Sequence, residues 1–262
     1  ELGYEKGICT SYIALGSAYG YSEQYAEGAE AYKEALKCPT ISTREKLDTY
    51  WGLSGCYIGL KDEENAVIIL NQEKEILEKL ANAKPTNYPL YRDRLLDNQL
   101  RFCQLYAKIK EIPKLKSHLL IAKKHYTENV FLPYYFQYHL SWADYYHLVQ
   151  DWDACFPELD LVLERSKGMQ PWYEQNVRKT KAQYLWDAGR QEDALEAYKE
   201  IVQIGDSLIQ YFREQQTETV QSNYRIKKEL MKQAENENKV RWLTFASAMV
   251  LFIIILVFTV RT

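Results

Sequence analysis

The chain is poor in helix-breaking residues, in cysteine pairs and in net charge. Only 11 of its 262 residues are glycine and 7 are proline, whereas tyrosine, at 22, is abundant. This balance suits helices packed through aromatic rings better than a β-sandwich with many turns. The five cysteines include no Cys-x-x-Cys motif, so we expect small packed residues and no disulfide framework or zinc site. A net charge of −3 offers no basic surface for nucleic acid.

Motifs of catalysis are missing as well. The sequence has no Gly-x-Ser-x-Gly, His-Glu-x-x-His, P-loop or Gly-x-Gly-x-x-Gly motif. We therefore predict no catalytic residue, metal ion or cofactor in this chain. The four histidines lack metal-ligand spacing and are expected on helix faces: His118, His125, His139 and His147.

What is present is a two-helix pattern, clearest at residues 181–201. Two short amphipathic segments meet at Gly189, and the small residues Ala182 and Ala194 stand where two backbones must approach closely. Large apolar residues recur at helical spacing in both segments: Leu185, Leu195, Tyr198 and Ile201. A unit of this kind cannot bury its apolar face alone and is typical of stacked arrays.

The same pattern occurs four more times, with unit starts 38, 49, 40 and 39 residues apart. It predicts one solenoid over residues 1–208. Three first helices open with proline, which favours the first helical position, so we expect longer helices and no long loops. Ser42 and Glu45 form a capping-box pattern, and Pro157 is expected to kink its helix or delay its start. The predicted units lie near residues 9–42, 47–80, 96–129, 136–169 and 175–208.

The order of large and small residues resembles the tetratricopeptide repeat, a helix–turn–helix unit with a period of about 34 residues. In the first unit the matching positions are Tyr12, Leu15, Gly16, Tyr19, Gly28, Tyr32 and Ala35. The resemblance implies an all-α solenoid that binds other proteins. The basic clamp with which some family members hold a terminal carboxylate is not matched, because Ile13 and Ser17 stand where that clamp has Lys and Asn.

Stacked helix pairs present a concave surface lined by their first helices. We expect a peptide or protein partner there, because aromatic rings supply contact area and charges fix its register. By the repeat register, the predicted groove residues are Trp51, Arg101, Gln104, Asp144, His147, Lys179, Gln183 and Trp186.

After the repeats the sequence changes twice. Residues 209–241 are polar and helix-prone, and two readings of 206–241 stay open: a coiled coil that pairs two copies of the chain, or a capping helix followed by a solvated connector. Residues 242–260 contain no charge over 19 positions. A helix of that length spans about 28 Å, close to a hydrocarbon core of about 30 Å. We predict a transmembrane helix in contact with lipid.

A repeat array, a polar helix and one span resemble the sensor half of bacterial membrane regulators. That resemblance implies a single-pass inner-membrane protein with periplasmic repeats, and an output module (a histidine kinase or a DNA-binding regulator) in a longer parent chain. The alternative is a tail-anchored cytoplasmic scaffold without signalling output. Six Lys or Arg residues between 225 and 241 favour this alternative by the positive-inside rule.

Overall fold

The computed structural model describes residues 2–84, 86–167 and 171–202, and eleven single positions between 205 and 240. The chain divides into two compact parts, Glu1–Lys199 and Glu200–Thr262, and the helices below belong to the first except for the end of α10. In the described ranges the protein is all-α. The helices are α1 (Leu2–Tyr21), α2 (Tyr25–Leu36), α3 (Thr43–Leu60), α4 (Glu63–Asn82), α5 (Tyr88–Lys108), α6 (Ile112–His125), α7 (Leu132–Leu148), α8 (Trp152–Ser166), α9 (Pro171–Asp187) and α10 (191–202).

The ten helices pack as five consecutive pairs, and every pair turns in the same way. One residue of each turn has left-handed backbone, and the next residue donates its N–H to a carbonyl five positions back at 2.9–3.0 Å. These left-handed residues follow one another at intervals of 38, 49, 40 and 39, equal to the predicted intervals between units. The array is therefore repeat-like in backbone conformation. The residues are Glu23, Lys61, Lys110, Gln150 and Gly189.

The helix starts follow from local sequence. Ser42 accepts the N–H of Glu45 at 3.2 Å, and the Glu45 carboxylate accepts the N–H of Ser42 at 2.9 Å, which confirms the predicted capping box. Asp62 and Asp151 cap α4 and α8 in the simpler way, each accepting one backbone N–H. Pro157 does not delay α8, which begins at Trp152 and continues through the proline.

The residues in excess of the standard repeat are helical, as predicted. Helix α5 begins at Tyr88 and is 21 residues long, and α7 and α9 begin at Leu132 and Pro171. Proline stands in the first turn of α5 and α7, where a missing N–H leaves no helical hydrogen bond unmade. The intervals above 34 residues are therefore taken up by longer helices.

Odd-numbered and even-numbered helices form two layers in the part up to Lys199. Helix α3 contacts both α1 and α5, and α5 contacts α7, whereas the even-numbered helices of the described chain pack mainly on their sequence neighbours. Small residues permit close approach, since a Cβ on Gly28 would lie 3.3 Å from the Gly16 carbonyl oxygen. In the last pair Ala182, Leu185, Ala194 and Ile201 are buried as predicted, but Leu195 and Tyr198 are exposed.

Two sequence predictions fall largely outside this description. The connector at 206–241 is described only at isolated positions, and the predicted span at 242–260 lies wholly outside the described residues. Within the residues that are described, none of the helices combines the length and the apolar character needed to cross a bilayer.

Candidate binding groove

All eight predicted groove residues lie on odd-numbered helices, and the structure gathers five of them into two groups. Trp51 and Arg101 are in contact on α3 and α5. Asp144 and His147 on α7 meet α9 near Gln183. Gln104 is half-buried between the groups, Lys179 is exposed, and Trp186 is 48% exposed on α9. Whether these residues bind a partner is still a prediction.

The first group borders a cavity of about 190 Å³. Residues from α1, α2, α3 and α5 contribute to its wall, so it lies between the first helix pair and the first helices of the next two pairs. The wall combines four aromatic rings, one cation and small residues: Tyr21, Tyr25, Tyr32, Trp51, Arg101, Ser17, Gly20, Gly52, Gly55 and Cys56.

Arg101 is buried but poorly satisfied. Its guanidinium stacks on the Trp51 ring at 4.0 Å, and Nη1 donates to Ser54 Oγ over a long 3.4 Å. The residue is 8% exposed, and Nε lacks a hydrogen-bond partner among the described residues. The nearest carboxylate, Asp97, has Oδ2 3.8 Å from that Nε, which is an ion pair without a hydrogen bond. One buried donor of the guanidinium, Nε, is thus left without a hydrogen bond.

Glycines on α3 keep the cavity open. A Cβ on Gly52 would lie 2.1 Å from Cζ of Tyr32, and one on Gly55 would lie 3.2 Å from Nη1 of Arg101. The absent side chains let the Tyr32 ring reach across from α2, where its hydroxyl meets Ser17 Oγ at 3.0 Å. An alanine at Gly52 would therefore displace the ring that forms the cavity wall.

Behind the cavity lies a buried polar layer on α5. Burial raises the pKa of Asp97, while Arg101 and a hydrogen bond from Trp51 oppose the shift. Burial also raises the pKa of Tyr134 on α7 to about 12, and the neighbouring Asp97 adds to this. One residue further along α5, the side chain of Asn98 donates to Glu73 and to the Leu70 carbonyl, both at 2.9 Å. This layer fixes the position of α5, and so of Arg101.

The second group joins α7 to α9 through a chain of hydrogen bonds. Tyr184 donates to Asp144 at 2.5 Å, and its ring stacks on that of His147 at 3.8 Å. His147 Nε2 meets Asp187 at 2.8 Å, and Gln183 donates to the same carboxylate at 2.9 Å. Burial raises the pKa of Asp144, against the hydrogen bond from Tyr184 and the charge of His147. Asp144 and His147 thus hold α7 and α9 together.

Sequence reasoning missed several participants. Asp97 stands four residues before Arg101, a spacing that places both on one helix face and could have been noticed. Tyr32 could not have been found from spacing, because it belongs to a second helix and enters the cavity only through the gap at Gly52. The sequence places His139 on a helix face without showing its surroundings: on α7 it is 9% exposed and lies between Tyr126 and Glu158.

Within the described residues, three or more His, Cys, Asp or Glu side chains nowhere cluster in a way that could hold a metal ion. Comparison with models of known families, with curated proteins and with solved structures yields no match. The structure therefore establishes a repeat-like helical array without identifying a family.

Proposed function

We propose that this chain binds an extended segment of a protein partner across its odd-numbered helices, with one side chain of that segment in the cavity beside Trp51 and Arg101. The observation that carries the proposal is this cavity, at which a buried cation with one unpaired donor meets an indole that is 40% exposed. Trp, Tyr and Arg are the residues that most often dominate binding energy in interfaces.

The size of the cavity favours a side chain over a free ligand. Pockets for whole small molecules measure about 300–1,000 Å³, and this cavity measures about 190 Å³. The odd-numbered layer continues from it toward Trp186, so a longer segment has further contacts available. A peptide anchored by one side chain and read along several helices uses both features.

The groove is tested by substituting its two tryptophans. Peptides selected from a phage-displayed random library on the 262-residue chain serve as probes, and their affinities are measured by fluorescence anisotropy. Trp51→Ala should weaken binding at least about tenfold, as loss of a central aromatic anchor does, and Trp186→Ala should weaken it less.

The matched control is Leu161→Ala, which removes another exposed apolar side chain, but from α8 in the even-numbered layer. It should leave both affinity and melting temperature unchanged. Undiminished affinity in a Trp51→Ala, Trp186→Ala double variant would remove the groove assignment.

We also propose the finer identity that the sequence suggests. The helix pairs are tetratricopeptide-like, residues 242–260 cross the inner membrane, and binding outside it shifts the helix at 206–241 and so an output module. The left-handed turns at the predicted intervals support the first part, and the uncharged run of 19 residues supports the second. A ligand can drive such a shift only through different affinities for two arrangements.

A further inference from the structure

The first helix pair brings two thiols together. Cys9 on α1 is 1% exposed, and Cys38 is half-buried just beyond the end of α2. Their sulfurs donate to neighbouring carbonyls of the last turn of α2: Cys9 to Ala35 at 3.8 Å and Cys38 to Glu34 at 3.7 Å. These two carbonyls belong to consecutive residues, so both sulfurs lie against the same turn of α2.

We propose that Cys9 and Cys38 are a reversible disulfide site that closes the first helix pair when a small-molecule disulfide such as oxidised glutathione is present. Thiols that already converge need only move to a bond length of about 2 Å. The other cysteines are not placed to start this reaction, because each is at most 2% exposed and so offers a less accessible thiol than Cys38: Cys56, Cys103 and Cys155.

Exposure sets the order of the two steps. Burial, reinforced by the hydrogen bond and charge of Cys38, raises the pKa of Cys9 to about 11, so Cys9 remains protonated at neutral pH. The more accessible Cys38 therefore reacts first. Its thiolate attacks one sulfur of oxidised glutathione, the glutathione S–S bond breaks, and one glutathione leaves as a thiolate that takes up a proton.

The second step closes the pair. Cys9 loses its proton to solvent and attacks Sγ of Cys38, and the mixed disulfide breaks as the second glutathione leaves and is protonated. Overall the two cysteine thiols lose two electrons and two protons, and one glutathione disulfide becomes two glutathione thiols. The bond ties the first turns of α1 to the end of α2, and both helices contribute tyrosines to the cavity wall.

The test is oxidation of the folded chain in mixtures of reduced and oxidised glutathione. Free thiols are blocked with N-ethylmaleimide, and the protein is digested without reduction for mass spectrometry. We expect one cross-linked peptide that contains Cys9 and Cys38, a melting temperature several degrees higher than that of the reduced protein, and reversal of both by dithiothreitol.

Two variants test the order of the two exchange steps. Cys9→Ser should stop at a glutathione adduct on Cys38, whereas Cys38→Ser should leave Cys9 unmodified. The peptide analysis uses the unsubstituted protein, so the test does not depend on whether either variant folds. Recovery of Cys9 and Cys38 as alkylated thiols under conditions that oxidise a reference dithiol of thioredoxin type, or cross-links shared among all five cysteines, would overturn the proposal.

Discussion

Glu73 is an ionisable residue at a buried position of the repeat that the other helix pairs fill with apolar side chains. It lies on α4 at a position of the repeat where the other pairs have Ala35, Ala122, Val162 and Ile201, and it is 1% exposed. Asn98 donates to its Oε2, and Nη2 of Arg94 is 3.9 Å from Oε1. Burial nevertheless raises its pKa to about 7, so its charged form is disfavoured in the folded protein.

This pKa predicts that stability falls as pH rises. A carboxyl with a pKa of about 7 when folded and 4.5 when unfolded holds its proton more tightly in the folded state. Its stabilising contribution is complete below pH 4.5 and is lost by about pH 7. Glu73→Gln keeps a hydrogen-bond acceptor but cannot ionise. Relative to the unsubstituted chain, it should gain up to about 3 kcal/mol of unfolding free energy between those pH values.

Urea unfolding across this pH interval measures the gain. The control is Glu75→Gln on the same helix, where the exposed carboxylate pairs with Lys79 at 2.6 Å and has a lowered pKa. That variant should not gain stability with rising pH. If the difference between Glu73→Gln and the unsubstituted chain is independent of pH, the raised pKa is wrong.

At the scale of helices and turns, the five turns share a left-handed residue, but only one of them has glycine at that position. Gly189 adopts its φ of 76° freely, but Glu23, Lys61, Lys110 and Gln150 hold a left-handed backbone with a Cβ. L-residues with side chains pay roughly 1 kcal/mol or more for this conformation. The four non-glycine turns are therefore places where the sequence disagrees with the backbone that it adopts.

Lys110→Gly should raise the unfolding free energy by about 0.5–1 kcal/mol, because glycine adopts left-handed backbone without the Cβ clash. Gly189→Ala should lower it by a similar amount. Lys108→Gly, two positions earlier but within α5, is the matched control and should destabilise. Chemical denaturation of the three variants decides, and a lower stability for Lys110→Gly would contradict the argument.

The turns also show how far sequence reaches. The intervals between units could be predicted because they depend on short patterns, such as small residues beside turns and proline at helix starts. The delayed start considered for α8 does not occur, because the helix begins at Trp152, five residues before Pro157, and accommodates the proline beyond its first turn. Which members of a stripe are covered, as at Leu195, depends on neighbours that short patterns do not describe.

Only part of the candidate site, likewise, could be predicted from the sequence. Trp51 and Arg101 could be assigned because both follow from the register of the first helices. The cavity between them could not, because it depends on Gly52 admitting Tyr32 from another pair. The three glycines of α3, at 52, 55 and 59, are visible in the sequence, but their use appears only when α2 packs against them.

At the scale of the whole molecule, the proposed relay requires the repeats to lie outside the inner membrane. A bacterial alkaline phosphatase fused after Thr262 should then be inactive, because this enzyme needs an extracytoplasmic location, whereas a cytoplasmic reporter such as β-galactosidase should be active there. The reverse pattern would defeat the sensor proposal and favour the tail-anchored scaffold. Reporter activities in intact cells, normalised to fusion protein level, give the answer.

The layering of the helices has a mechanical consequence. In the part up to Lys199, the helices from α1 to α9 contact their sequence neighbours, and α1, α3, α5 and α7 also contact the next odd-numbered helix in this series, so the array is held together by contacts between neighbours. Such an array is elastic, because a force on one end is distributed as a small change of angle between each helix pair and the next. A partner segment bound along the odd-numbered helices from Trp51 to Trp186 would therefore make the array stiffer.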